Sequence, residues 1–310
     1  MNNQRHIIES QQFSPESIIR LFKLALKYEQ GEKLKPLEEK IVATLFYEPS
    51  TRTRLSFESA VLRLGGKVIS TENAKEFSSA SKGETIEDTI RVIGGYVDAI
   101  VLRHYEVGAA KRASLVSPVP IINAGDGVGQ HPTQALLDAY TIYKRFGRLD
   151  NLTIQFIGDL ANGRTVRSLV YLLSKFPNNR FIFVSPKILR MRDDILEYLV
   201  KHRIDFVETE EIQTAGVNVN YITRIQKERF GDNMEAFHTV FGKYVIDNEL
   251  ADKFPVTSII MHPLPRVNEI TVDVDNNQRA VYFQQAKNGL YVRMALLEQV
   301  FASKPFLFST

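Results

Sequence analysis

Ile41-Val42-Ala43-Thr44-Leu45-Phe46-Tyr47-Glu48-Pro49-Ser50-Thr51-Arg52-Thr53-Arg54 opens with an apolar run and ends in five consecutive residues whose side chains can donate hydrogen bonds. Behind it come Leu55, Phe57, Ala60, Val61 and Leu64, and Gly65-Gly66 closes the segment. The pattern predicts strand, turn, helix. Pro49 cannot continue a strand ladder, Ser50 stands where an N-cap belongs, and the apolar residues that follow recur at helical spacing, predicting an inward-facing stripe. The turn is therefore a helix N-terminus, where backbone N–H groups lie outside the helical ladder and the dipole is positive. Ser50, Thr51 and Thr53 add hydroxyls there, and Arg52 adds a planar fork, a combination that suits a phosphate dianion. Capping alone needs far less.

Composition narrows the field around this turn. The chain has 310 residues, enough for two domains of ordinary size, and its 44% hydrophobic content can fill two cores. There is no cysteine, and the six histidines show no close ligand spacing, so neither a disulfide nor a bound metal is expected, and no cofactor. The net charge of +3, from 39 basic and 36 acidic residues, comes without a long basic block; a small anionic substrate accounts for local arginines better than nucleic acid does. No apolar run approaches the roughly 20 residues of a membrane span, and no apolar signal core follows Met1 to Arg5; a cytoplasmic location is expected.

Further strands end in polar residues. Asp98 to Leu102 runs into Arg103, and Val119 to Asn123 runs into a glycine-rich turn before His131 and a helix from Pro132 to Phe146. Ligands of open parallel sheets collect beyond the carboxyl ends of the strands, so parallel strands would bring Arg103 and His131 to the rim that holds Arg52. Between Arg52 and Arg103, the polar loop from Glu72 to Lys82 ends in small and basic residues that suit a lid. Gly147 to Asn151 breaks the chain, and the pattern restarts with a strand from Leu152 to Ile157 and Gly158-Asp159-Leu160-Ala161-Asn162-Gly163. This only superficially matches a dinucleotide fingerprint. Leu160 stands where a glycine must let the backbone approach pyrophosphate, and the strand Phe181 to Val184 ends without a ribose-binding acid. Arg164 starts the next helix instead, and Arg224 and Gln226 follow the strand Val217 to Ile222. His262-Pro263-Leu264-Pro265 follows a strand ending at Met261; its prolines restrict the backbone, so Leu264 is expected to act through its carbonyl. A final helix is expected from Leu290 to about Ala302.

The segment Ser50-Thr51-Arg52-Thr53-Arg54 is similar to the carbamoyl-phosphate signature of the transcarbamoylases. Together with His131-Pro132-Thr133-Gln134, Thr223-Arg224-Ile225-Gln226 and His262-Pro263-Leu264-Pro265-Arg266, in that order across essentially the whole chain, it resembles the aspartate/ornithine carbamoyltransferase family. The resemblance implies an α/β protein of two doubly wound domains, each a mainly parallel sheet flanked by helices, with the active site in the interdomain cleft. Residues 1–147 would bind carbamoyl phosphate, residues 148–289 would bind aspartate, and the C-terminal helix, 290–310, would pack back on the first domain. Ser50, Thr51, Arg52, Thr53, Arg103, His131, Gln134, Leu264 and Pro265 would hold carbamoyl phosphate, with Arg52, Thr53, Arg103, His131 and Gln134 serving catalysis. Lys82, Arg164, Arg224 and Gln226 would bind the acceptor. Ser78 and Lys82 would come from a neighbouring subunit of a homotrimer with shared active sites, and a separate regulatory chain is a further possible partner in a larger assembly. No nucleic acid and no membrane enter this reading.

Two arginines, each able to grip a carboxylate through a bidentate pair, imply a dicarboxylic amine, aspartate, as acceptor. Ornithine would bring a second cation to that rim and is the alternative within the fold. A non-catalytic anion-binding homologue is the alternative outside catalysis. With no cysteine and no serine-histidine-acid arrangement, direct transfer is expected rather than a covalent enzyme intermediate. The product would be N-carbamoyl-L-aspartate, made at an early step of pyrimidine biosynthesis.

Overall fold

The computed structural model describes residues 5–73, 83–225 and 242–308, and the chain divides into two compact units. Unit 1 comprises Met1–Tyr140 with Lys287–Thr310, and unit 2 comprises Thr141–Ala286. In order, the described elements are α1 (Pro15–Glu29), β1 (Ile41–Phe46), α2 (Thr51–Arg63), β2 (Lys67–Glu72), α3 (Ile86–Ile93), β3 (Ala99–His104), α4 (Ala109–Val116), β4 (Ile121–Asp126) and α5 (Pro132–Phe146). There follow β5 (Thr153–Ile157), α6 (Arg164–Leu173), β6 (Arg180–Val184), α7 (Asp193–Lys201), β7 (Asp205–Thr209), β8 (Val219–Ile222), α8 (Asn248–Lys253), β9 (Ile259–Met261) and α9 (Tyr282–Phe301).

Unit 1 is built on a parallel sheet of order β2-β1-β3-β4. Its inner strands are apolar almost throughout, as strands covered by helices on both faces must be: Val42, Ala43, Phe46, Ala99, Ile100, Val101 and Leu102 are fully buried. Ser14 caps α1 by accepting from the Ser17 N–H at 3.1 Å, with Pro15 in the first turn. Its covered stripe is Ile18, Leu21, Phe22, Ala25 and Tyr28, while Leu26 is 38% exposed. Ile7 joins the outer edge of β4 through a bridge to Ile122. Part of α9 belongs to this unit, anchored by Arg5 Nη1 on the Val300 carbonyl at 3.1 Å and by the Tyr28 hydroxyl on the Glu298 carboxylate.

In α2 the stripe is Thr53, Phe57, Ala60, Val61 and Leu64, all buried. Leu55, predicted to face inward, is 51% exposed because it lies two residues from both Thr53 and Phe57, about 200° around a helix of 3.6 residues per turn.

Unit 2 holds a parallel sheet of order β7-β6-β5-β8-β9. Phe156 lies at its centre with Phe181, Phe183 and Tyr221 around it, at centroid separations of 6.0, 5.8 and 5.6 Å. The two described sheets bear out the expected α/β class with two helix-flanked parallel sheets. Among the described residues no helix is long and apolar enough to cross a membrane.

Candidate active site

In unit 1 the chain leaves β1 in one direction to β2 and returns on the other side as β3, so the switch point of the sheet lies between β1 and β3. Phe46, the last residue of β1, pairs in register with Arg103 near the end of β3, and the Tyr47 N–H donates to the Arg103 carbonyl at 2.9 Å. This pairing sets the start of α2 and the Arg103 side chain on one rim. Ser50 occupies the N-cap position but makes no side-chain capping bond, and its own N–H goes to Glu72 at 3.3 Å. The first bond of the helical ladder is Arg54 N–H to Ser50 carbonyl, 3.0 Å, which leaves the N–H groups of Thr51, Arg52 and Thr53 outside the ladder. Arg52 and Thr51 are exposed and Thr53 is buried. Neighbouring protein atoms displace some water from the exposed Arg52 guanidinium and lower its pKa from the ordinary value, although an arginine remains charged.

Of the five donor-bearing residues, Arg54 serves the fold. Its guanidinium donates to Ser70 Oγ at 3.1 Å and to Glu72 at 2.8 Å, tying α2 to β2. Arg103 sits 3.5 Å from Glu48 and 3.4 Å from the Ala124 carbonyl, so the loop after β1 and the end of β4 converge on the end of β3. Asp126, at the end of β4, accepts from the N–H groups of Gly108 at 2.9 Å and Gln130 at 2.6 Å, fixing the turn that delivers His131 to the start of α5. His131 and Gln134 are buried there, and Gln134 Nε2 donates to Asp138 Oδ1 at 2.9 Å.

The switch point of unit 2 lies between β5 and β8, and the segments that leave those strands carry Arg164 and Arg224. Gly158, with φ +117°, lets the two segments close on each other: a Cβ there would meet the Thr223 carbonyl oxygen at 2.3 Å. The Thr223 N–H and hydroxyl both donate to the Ile157 carbonyl, at 2.8 and 3.2 Å. Leu160 is buried and its N–H donates to the Leu189 carbonyl at 3.1 Å, while Asp159 accepts from the Asn162 N–H at 3.0 Å. Arg164 and Arg224 are both half-buried.

Leu264 and Pro265 follow β9 in the same unit, in a turn that proline alone does not explain. A residue before proline favours extended backbone, yet Leu264 has φ +54°. His262 accounts for the turn: its Nδ1 accepts the Leu264 N–H at 2.7 Å and its Nε2 faces Glu269 at 2.8 Å, both groups being buried or nearly so. An acceptor at Nδ1 and a donor at Nε2 describe a neutral imidazole whose two nitrogens are both used. Burial pushes the Glu269 carboxyl up, but its hydrogen bond with His262 and bonds from backbone N–H groups outweigh this and leave it below the ordinary value.

Ser78, Lys82 and Gln226 lie outside the described residues. Three site-supporting carboxylates escaped the sequence reading: Glu48 beside Arg103, Asp138 beside Gln134, and Glu269 beside His262. The four-residue spacing of Gln134 and Asp138 on an apolar helix face was the one local signal among them.

Residues 5–144 match the family model "Aspartate/ornithine carbamoyltransferase, carbamoyl-P binding domain", and residues 150–300 match "Aspartate/ornithine carbamoyltransferase, Asp/Orn binding domain". The chain is 53% identical over 303 residues to the chloroplastic aspartate carbamoyltransferase of Oryza sativa subsp. japonica, covering 94% of this chain and 84% of that protein. It is similar to the solved catalytic subunit of M. jannaschii aspartate transcarbamoylase, with 52% identity, a TM-score of 0.88 and coverage of 96% and 98% of the two chains. Aspartate transcarbamoylase from Trypanosoma cruzi, solved with carbamoyl phosphate and aspartate, is 40% identical with a TM-score of 0.88, covering 94% of this chain and 95% of that one.

Proposed function

Because the chain belongs to the aspartate/ornithine carbamoyltransferase family, we propose that its two groups of basic residues divide one transfer reaction between them. The chain has aspartate carbamoyltransferase activity: it transfers the carbamoyl group of carbamoyl phosphate to L-aspartate, giving N-carbamoyl-L-aspartate and phosphate, a reaction of pyrimidine biosynthesis. The observation that carries the division of labour is the register pair Phe46–Arg103, which puts a helix N-terminus and an arginine side by side at a switch point.

Carbamoyl phosphate binds with its phosphate at the start of α2, on the N–H groups of Thr51, Arg52 and Thr53, the Ser50, Thr51 and Thr53 hydroxyls and the Arg52 guanidinium. Its carbonyl oxygen takes donors from Thr53, Arg103 and His131. Its amide finds acceptors in Gln134 and in the backbone at Leu264 and Pro265. Aspartate is held through its carboxylates by Arg164 and Arg224, with Gln226 and Lys82 completing its site. The amine attacks the carbonyl carbon, a C–N bond forms, and negative charge collects on the oxygen facing Arg103 and His131. As the bond between the carbonyl carbon and the bridging phosphate oxygen breaks, phosphate leaves with the electron pair and takes up the proton that the nitrogen gives up. Donors fixed in advance at that oxygen stabilise the developing charge, and loss of one costs about a hundred- to a thousandfold in turnover. Residues 1–147 with the last helix form the carbamoyl-phosphate domain, and 148–289 form the aspartate domain.

Ser78 and Lys82 come from a neighbouring chain of a homotrimer in this reading, supported by the family membership and by the sequence distance of Lys82 from Ser50. A relative named as a catalytic subunit supports a separate regulatory chain as a further partner, and the cytoplasm is the proposed location. Reassembling Arg52→Ala with Lys82→Ala chains tests the shared site. Each parent trimer is nearly inactive, and mixed trimers regain activity because an Arg52→Ala chain lends its intact Lys82 to a neighbour with an intact Arg52. Mixed trimers no more active than the parents would place Lys82 in its own subunit's site or outside the site.

A further inference from the structure

Helix α9 buries a charge for which the reaction above has no use. Arg293 is 3% exposed, and its guanidinium carbon lies 4.9 Å from the centre of the Phe57 ring of α2. Its Nε has no hydrogen-bond partner. Burial lowers its pKa to about 10, against the raising effect of the Asp138 carboxylate. The fold makes room for it: one turn earlier stands Gly289, where a Cβ would lie 2.3 Å from Arg293 Nη1 and 3.0 Å from Leu137 Cδ2. A buried cation is costly without an opposite charge, and Asp138, itself fully buried, is the carboxylate whose charge acts on Arg293.

Asp138 is also the acceptor for Gln134. The two lie four residues apart on α5, and Gln134 Nε2 donates to Asp138 Oδ1 at 2.9 Å. A carboxylate only accepts, so it selects the NH2 arm of the glutamine amide and leaves the oxygen arm for another partner. We propose that Asp138, with Arg293 as its counter-charge, is a positioning residue that locks the Gln134 amide with its oxygen toward the ligand's NH2, and so makes the pocket select a carbamoyl group over an acetyl group. The inference rests on the proposed binding of carbamoyl phosphate at Gln134. An acyl phosphate with a methyl group in place of the amide leaves the Gln134 oxygen unpaired in a buried place, a penalty of the kind that makes hydrogen-bonding sites selective. If Gln134 could turn, this discrimination would fall.

The test compares two stable probes that differ only there, phosphonoacetamide and phosphonoacetone, by calorimetric titration of the intact protein. The native protein should bind the amide about 5- to 150-fold more tightly than the ketone. Asn at position 138 can face Gln134 with either arm of its own amide, so in Asp138→Asn the preference should fall to about threefold or less, with the ketone bound nearly as before. Since this variant leaves Arg293 buried without its counter-charge, the double variant Asp138→Asn/Arg293→Gln removes both charges and carries the same expectation. Near-ultraviolet circular dichroism identifies which of the two is folded. A purely packing role for Asp138 would weaken both probes together and keep their ratio. An unchanged ratio in a folded variant overturns the positioning role while leaving the phosphate site intact; failure of both probes to bind the native protein overturns the site assignment and this inference with it.

Discussion

Gly158 and Thr223 approach so closely that a Cβ on the glycine would sit 2.3 Å from the Thr223 carbonyl oxygen, and the φ of +117° at Gly158 is one that other residues rarely adopt. Two segments leaving neighbouring strands are thereby held together, one leading to Arg164 and the other to Arg224. Gly158→Ala must push them apart. The expected cost is about 2 to 4 kcal/mol in stability, from strain and overlap, and a KM for aspartate raised at least severalfold with a smaller change for carbamoyl phosphate. Chemical denaturation and initial rates read the two effects separately; equal rises in both KM values would show that the contact does not act on the arginine pair.

His262 holds Leu264 through a bond to its backbone N–H, and holds Glu269 on its other nitrogen. His262→Ala should leave a buried carboxylate without its ring partner and a turn without its acceptor, at a cost of about 3 kcal/mol. Because Leu264 is proposed to meet the carbamoyl amide, the KM for carbamoyl phosphate should rise as well. Glu269→Gln keeps a group that can accept from the ring and should lose less. Equal stability loss in the two variants, measured by urea unfolding, would count against this order.

His6 gives an acid-sensitive joint. Burial lowers its pKa from 6.5 to about 4, and its Nδ1 accepts the Ile121 N–H at 3.0 Å, a bond that only the unprotonated nitrogen can make. Between pH 6.5 and 4 the unfolded chain binds the proton more readily than the folded one, so stability present above pH 6.5 is lost as the pH falls toward 4. With the ring only half-buried, the loss from this group is on the order of 1 kcal/mol. His6→Gln, which can still accept from Ile121, should remove that part of the pH dependence; parallel stability curves for the two proteins across this range would refute it.

Periodicity and punctuation made most of the architecture readable. Helix α5 spans Pro132–Phe146 as predicted, because a proline opens it, an unbroken apolar face follows and Gly147 ends it. Helix α9 begins at Tyr282 rather than at Leu290, since Gln284, Gln285, Lys287, Asn288 and Gly289 dilute the apolar pattern. Gln285 and Asn288 are nonetheless buried, and Gln285 accepts the His262 N–H at 2.9 Å, a tertiary contact that no local pattern announces. Strand β7 has an exposed, charged face and offers little apolar alternation. The rim of unit 1 was legible because the start of α2, Arg103 and the turn before α5 lie at or beyond strand ends. The supporting carboxylates of the two units were not, because Glu48, Asp138 and Glu269 act through partners that only the fold brings near.

Phosphate release reads the choice of acceptor directly. Phosphate release by the native chain should be measured with carbamoyl phosphate and either L-aspartate or L-ornithine, alongside Arg224→Ala. Release that depends on aspartate, is absent with ornithine and falls at least a hundredfold in Arg224→Ala is the predicted result. Release driven by ornithine, or an aspartate-driven rate that Arg224→Ala leaves unchanged, would contradict the assignment of the arginine pair to a dicarboxylic amine.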